Sequence, residues 1–284
     1  MPEAAVALEA VLAEGSDRLH RAGVADSRRE SLRIWAELAK VEIARVLLQS
    51  SEPANSDATR VFHGQVLRRC SGEPLAHGTG LIGFRHLSLR SDARALIPRP
   101  ETEMLVDLLL DRVRTGRVAD IGTGSGCLAL SLAQEGNFSD IVAVDCSGPA
   151  LALARLNQTL TDLPVTLVQG DLCAPLRPAA FDALVSNPPY LTAAEYSELD
   201  ASVRNWEPAT ALVSGSDGLE ATARLLDEGR SALRVGGWLA LEVDCSRAAL
   251  AAERARALGW DDVTIHMDLF GRERYLLARR SNTR

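Results

Sequence analysis

Apolar residues recur every three to four positions over roughly the first 75 residues, the period of helices with one buried face. Leu32, Trp35, Ala36 and Ala39 form one stripe, and Ala58, Phe62, Val66 and Cys70 form a second. Ser27-Arg28-Arg29-Glu30 has the spacing of a capping box at a helix start, and Gly23 just ahead suits a left-handed helix end. The rhythm changes at 71–98, where Gly72, Gly78, Gly80 and Gly83 interrupt short apolar pieces that end at Ile97-Pro98-Arg99-Pro100. That composition predicts a connector with a hairpin. Beyond it, short β-rich runs alternate with helical ones. The predicted strands are 117–121, 141–145, 165–169, 183–186, 238–243, 263–267 and 274–278. Only the last two lack a helix between them, so the final strand is expected to run antiparallel. The pattern predicts an α/β fold, a doubly wound, mostly parallel seven-stranded sheet with a small N-terminal helical domain. The expected divisions are 1–75 (helical), 76–98 (connector) and 99–284 (α/β).

Composition narrows the chemistry. The chain has 284 residues and a formal net charge of −7, which disfavours a phosphate-gripping surface. No apolar run is long enough to span a bilayer, and the N-terminus lacks the pattern of a signal peptide, so a cytoplasmic protein is expected. Five scattered cysteines with no Cys-x-x-Cys spacing argue against a disulfide framework or a metal site and read as buried filler. Lys40 is the only lysine, so no glycine-rich turn here has a P-loop lysine.

Two segments carry chemistry. Val118-Ala119-Asp120-Ile121 runs into Gly122-Thr123-Gly124-Ser125-Gly126, after which Cys127-Leu128-Ala129-Leu130 resumes as a helix. Alternate glycines let a ligand approach the backbone closely. Asp145 follows at the next strand end, placed to accept both ribose hydroxyls of a nucleoside cofactor, and Asp171 is expected beside the adenine. The strand from Phe181 ends at Asn187-Pro188-Pro189-Tyr190. An NH2 group on a carbonyl or an aromatic ring is a poor nucleophile because its lone pair is delocalised. Two acceptors aimed at its hydrogens, the Asn187 side-chain oxygen and the Pro188 carbonyl, would hold it and favour a pyramidal nitrogen. Pro189 would fix that carbonyl, and Tyr190 offers a flat ring to a planar acceptor. An activated methyl donor then needs positioning more than it needs a base.

With these residues the chain resembles class I S-adenosylmethionine methyltransferases, and among them the peptide chain release factor N5-glutamine methyltransferases. The tetrapeptide is shared with DNA adenine and rRNA guanine methyltransferases. Three further segments narrow the likeness: Gly72 to His77 with Leu96 to Glu103; Glu207 to Leu212 with Ser216 to Leu219; and Asp268 to Arg274. The likeness spans essentially the whole chain, in layout more than in sequence over the N-terminal helices. It implies S-adenosyl-L-methionine as cofactor, with S-adenosyl-L-homocysteine as product. Cofactor contacts would fall on Gly122, Thr123, Gly124, Ser125, Gly126, Asp145, Leu172 and Asn187, and substrate contacts on Asn187, Pro188, Pro189 and Tyr190. The implied catalytic residues are Asn187, Pro188 and Tyr190, and the implied partner is a release factor carrying a Gly-Gly-Gln loop. After Leu241-Glu242-Val243 the family usually has glycine and, three residues later, glutamine; this chain has Asp244 and Arg247. The competing readings are a nucleic-acid amino-methyltransferase, a divergent protein-glutamine methyltransferase, a nicotinamide-dependent oxidoreductase, and a retired enzyme that only binds the cofactor.

Overall fold

The computed structural model describes residues 6–282 and divides into two compact units. One runs to Gly80 and takes in Ala201–Trp206; the other holds Leu81–Asp200 and Glu207 onward.

The first unit contains helices Leu8–Arg21, Ser27–Ala39, Ile43–Leu48, Ser56–Cys70 and Leu75–Thr79. Phe62 and Val66 are fully buried, with Ala58 and Cys70 packed beside them, as the four-residue rhythm predicts. The Phe62 ring stands edge-on to Trp35 at 5.4 Å between centroids. It passes so close to Gly15 that a Cβ there would lie 2.5 Å from it. Gly23 ends the first helix with φ +80°, and the Val24 amide donates back to Leu19 in a Schellman arrangement. Three expectations change. The Ser27 capping box does not form: Asp26, at φ +50°, is the N-cap and makes no side-chain cap bond. Glu30 instead pairs with Arg69 at 2.7 Å. Ala39 is exposed, and the buried stripe runs through Ser31, Ile34 and Trp35. The expected connector contains the short helix Leu75–Thr79, which belongs to the helical unit, and the hairpin begins only at Leu81.

Among the described residues the second unit holds nine strands: β1 (Leu81–Phe84), β2 (Leu87–Arg90), β3 (Thr115–Ile121), β4 (Asn137–Asp145), β5 (Thr166–Gln169), β6 (Phe181–Ser186), β7 (Leu233–Glu242), β8 (Trp260–Met267) and β9 (Glu273–Arg280). β1 and β2 form the antiparallel hairpin. The other seven form one sheet, in the order β5-β4-β3-β6-β7-β9-β8. Pairing is parallel from β5 through β7, while β9 runs antiparallel to both its neighbours. All seven predicted strands are present. One connection differs from expectation: no helix lies between β5 and β6, which are joined by a loop over 170–180. Side chains alternate between two apolar clusters on the two faces. Ala119, Leu184, Leu239 and Leu276 point to one; Val118, Val185, Ala240 and Leu277 point to the other. Both faces are thus buried, the requirement for a parallel sheet. The strand order reverses between β3 and β6, and in such sheets the crevice at the carboxyl ends beside the reversal is where ligands bind.

Candidate active site

β3 ends in the glycine turn, β4 in Asp145 and β6 in Asn187, all at the carboxyl edge around the reversal. A cavity of about 350 Å³ opens there, at the small end of the roughly 300–1,000 Å³ typical of small-molecule sites. Gly122, Thr123, Gly124, Ser125, Asp145, Leu172, Asn187 and Pro189 line it, so most of the sequence-predicted residues meet in one place.

Gly122 and Gly124 have φ of +71° and +56°, a backbone that L side chains rarely adopt. A Cβ on Gly122 would meet no protein atom within 4 Å, so this glycine preserves open space. Gly126 differs. It caps the helix Cys127–Glu135, does not line the cavity, and a Cβ there would sit 3.3 Å from Leu130 and 3.4 Å from Ala154. Its role is close helix packing. The Asp145 carboxylate accepts from the Gly124 amide and, through its other oxygen, from the Ser147 amide, both at 2.8 Å. A carboxylate has about four acceptor positions, so two remain for ligand hydroxyls. Asp171 also lines the cavity, but Arg224 pairs with it at 2.8 Å, so it faces the ligand space already neutralised.

Several supporting residues carry no motif of their own. Asn157, fully buried in the helix Gly148–Thr161, donates to the carbonyls of Ser125 and Arg90 and accepts from the Arg90 amide. It thereby ties the glycine turn to the hairpin. Glu207 is buried and accepts from the Ile97 amide at 2.9 Å and from Arg99 at 2.6 Å, fixing the cavity wall at Leu96 to Arg99. Ser186 donates to the Ile121 carbonyl at 2.6 Å and joins the ends of β3 and β6. One of these positions left a signal in the sequence: Glu207 stands in the segment Glu207 to Leu212 that carries the family resemblance.

After Asn187, Pro188 and Pro189 have no amide hydrogen, and backbone pairing resumes only at Tyr190, whose amide and that of Leu191 donate to the Leu212 carbonyl. Pro188 is buried and Tyr190 half-buried, and neither lines the cavity itself. No backbone amide among the described residues donates to the Pro188 carbonyl. Burial pushes the Tyr190 phenol up to about 12, which keeps it neutral near pH 7 and unsuited to be a base. Gly218, at φ +74°, passes so close to the Tyr190 carbonyl that a Cβ would lie 2.5 Å from its oxygen.

The departure at Asp244 and Arg247 is not loose drift. Arg247 donates to both Glu195 carboxylate oxygens (2.8 and 2.9 Å), to the Asp217 carbonyl (2.7 Å) and to Asp244 (3.2 Å). Thr192 and Glu195 form a true capping box at the helix that follows Tyr190. That cap, with Arg247 beside it, holds the Glu195 carboxyl down at about 2. Arg247 thus staples the segment beyond the tetrapeptide to the Asp217-Gly218 turn. The cysteines are not uniformly filler: Cys173 is buried, while Cys146 and Cys245 are exposed.

A family profile described as "Methyltransferase small domain" matches residues 100–204, and one described as "PrmC N-terminal domain" matches residues 10–80. The release factor glutamine methyltransferase of Deinococcus radiodurans is 39% identical over 277 residues, covering 96% of this chain and 99% of that protein. The protein of the same name from Moorella thermoacetica is 38% identical, covering 96% and 98%.

The chain belongs to the release factor glutamine methyltransferase family.

Among solved structures, a methyltransferase from Pyrococcus furiosus aligns with a TM-score of 0.54 and 21% identity, over 77% of this chain and 98% of that one. The Thermus thermophilus 16S rRNA N2 G1207 methyltransferase, solved with AdoMet and guanosine, gives 0.51 and 19%, over 70% and 49%. These likenesses establish the class I methyltransferase fold for this family member. Among the described residues, no helix is long and apolar enough to cross a membrane.

Proposed function

We propose that the protein transfers a methyl group from S-adenosyl-L-methionine to the side-chain amide nitrogen of the glutamine in the Gly-Gly-Gln loop of peptide chain release factors. The observation that carries this is Asn187: it lines the cavity at the end of β6, and its Oδ1 has no protein partner among the described residues. Membership of the family, with relatives of that name aligned over nearly the whole chain, supports the choice of acceptor.

The residues present fit the cofactor. Gly122 keeps ligand space open, Asp145 keeps two acceptor positions for ribose hydroxyls, and Leu172 and Leu128 give apolar wall beside them. When bound, S-adenosyl-L-methionine supplies a methyl group on a sulfonium centre, already activated for displacement. The chain's own task is then to hold the amide. Asn187 Oδ1 and the Pro188 carbonyl accept its two hydrogens, Pro189 fixes that carbonyl, and the Tyr190 ring lies against the plane. Nitrogen gains the methyl, one of its protons leaves to solvent, and S-adenosyl-L-homocysteine is released. Gly124, Thr123 and Ser125 shape the cofactor side of the cavity, and Gly126 seats the helix behind it. The helical unit, residues 1–75 in the sequence division, docks the release factor. The same reading makes the protein cytoplasmic.

The test is mass spectrometry of a release factor incubated with enzyme and cofactor, with duplex DNA and structured RNA run in parallel at physiological ionic strength. One added methyl group on the Gly-Gly-Gln peptide is expected, with none on either nucleic acid. A methylated nucleobase with an untouched factor would reverse the ranking in favour of a nucleic-acid amino-methyltransferase. Deleting residues 1–75 is expected to spare cofactor binding and greatly weaken methylation of the intact factor; a soluble truncation with a normal rate would remove the docking role.

A further inference from the structure

Asn187 sits at the end of a hydrogen-bonded chain that reaches into the sheet. Its Nδ2 donates to Thr102 Oγ1 at 3.0 Å, and the Thr102 hydroxyl donates to Glu242 Oε2 at 2.7 Å. Glu242 is the last residue of β7 and 1% exposed; Thr102 precedes the helix Glu103–Leu110 and is 3% exposed. Arg274 lies 3.8 Å from the other Glu242 oxygen. Burial pushes the Glu242 carboxyl up, while the Thr102 bond and Arg274 favour its ionised form.

A hydroxyl has one hydrogen to give. Because Thr102 spends it on Glu242, its oxygen is left to accept, and the group it accepts from must be the NH2 end of Asn187. The two ends of a primary amide are nearly identical in shape, so packing alone does not select between them. The direction of the Glu242–Thr102 bond does. We propose that Thr102, polarised by Glu242, is a positioning residue that locks the Asn187 amide with Oδ1 toward the acceptor nitrogen. This rests on the assignment of Asn187 as the acceptor-holding group. With the hydroxyl replaced by an apolar group, the half-buried NH2 would face it without a partner. The amide then turns over, and two donors point at a substrate NH2 that itself needs acceptors.

Thr102→Val keeps the shape and removes the hydroxyl, whereas Thr102→Ser keeps the hydroxyl. In the full-length enzyme, Thr102→Val is expected to lower kcat about tenfold or more, the cost of one orphaned buried donor. KM for the cofactor should remain near wild type, Tm should fall modestly because the buried Glu242 loses its hydroxyl partner, and Thr102→Ser should recover most of kcat and of Tm. The decisive measurement repeats Thr102→Val in an Asn187→Asp background. A carboxylate presents an oxygen whichever way it turns, so there the valine should cost about twofold or less, a non-additivity that a purely structural role would not produce. Equal losses in the two backgrounds, or a serine variant as slow as the valine one, would overturn the proposal. Should Thr102→Val not fold, Glu242→Gln replaces it in the same cycle, because a carboxamide at 242 is able to donate and so reverse the chain. Methyl transfer is followed on whichever acceptor the wild-type enzyme modifies. A failed release-factor assignment is therefore seen in the wild type, and a failed Thr102 assignment only in the variants.

Discussion

Replacing Asn187 by alanine is expected to reduce kcat about a hundredfold or more, the usual cost of removing one preorganised polar group at a reacting centre. Cofactor affinity and fold should largely survive, because the side chain is half-buried at a strand end and not part of either apolar cluster. Asn187→Asp retains an acceptor oxygen but places a carboxylate beside Thr102, whose single hydrogen Glu242 already holds. It should fall between wild type and alanine. Single-turnover kinetics on a release factor, with S-adenosylhomocysteine binding measured on the same preparations, separates the two effects. An alanine variant with normal single-turnover rates would remove Asn187 from the chemistry.

Asp145→Ala should weaken S-adenosylhomocysteine binding roughly ten- to hundredfold, since each charge-assisted hydrogen bond to the ribose contributes about 1.5–3 kcal/mol. The structure adds a second cause. The same carboxylate accepts from the Gly124 and Ser147 amides, so alanine also loosens the turn that cradles the ligand. Asp145→Asn should be milder, because its carbonyl oxygen still serves one of the two amides. Calorimetric titration reads both variants; unchanged affinity in folded Asp145→Ala protein would sink the ribose assignment.

The sheet was legible because β3 to β9 are compact apolar runs bounded by turn residues, a signal contained within each segment. The ligand-side residues were legible for a similar reason: the glycine turn, Asp145 and Asn187 each stand directly at a strand end. What escaped is what distant segments do to one another. Thr102 meets Asn187 across 85 positions and Glu242 across 140, and Glu207 reaches Ile97 across 110. No local periodicity encodes such pairs. The capping box shows the limit of short motifs. Ser27-x-x-Glu30 and Thr192-x-x-Glu195 have the same spacing, yet Glu30 is drawn away by Arg69, and only Glu195 turns back on its own helix. The missed helix at Leu75–Thr79 is five residues long and too short to show a period.

The Arg247 staple bears on how this protein diverges from its relatives. Its guanidinium, 14% exposed at the side chain, holds two carboxylates and a backbone carbonyl at once. A lone change to the glutamine common at this position would leave Glu195 and Asp244 facing each other without a cation. With glycine at 244, Arg247 would lose only its 3.2 Å contact and keep Glu195 and the Asp217 carbonyl. Arg247 and Glu195 therefore carry the staple, and Asp244 adds a second carboxylate to it. A loop carrying Arg247 is thus expected to seat in another family member only where a carboxylate stands at the place of Glu195.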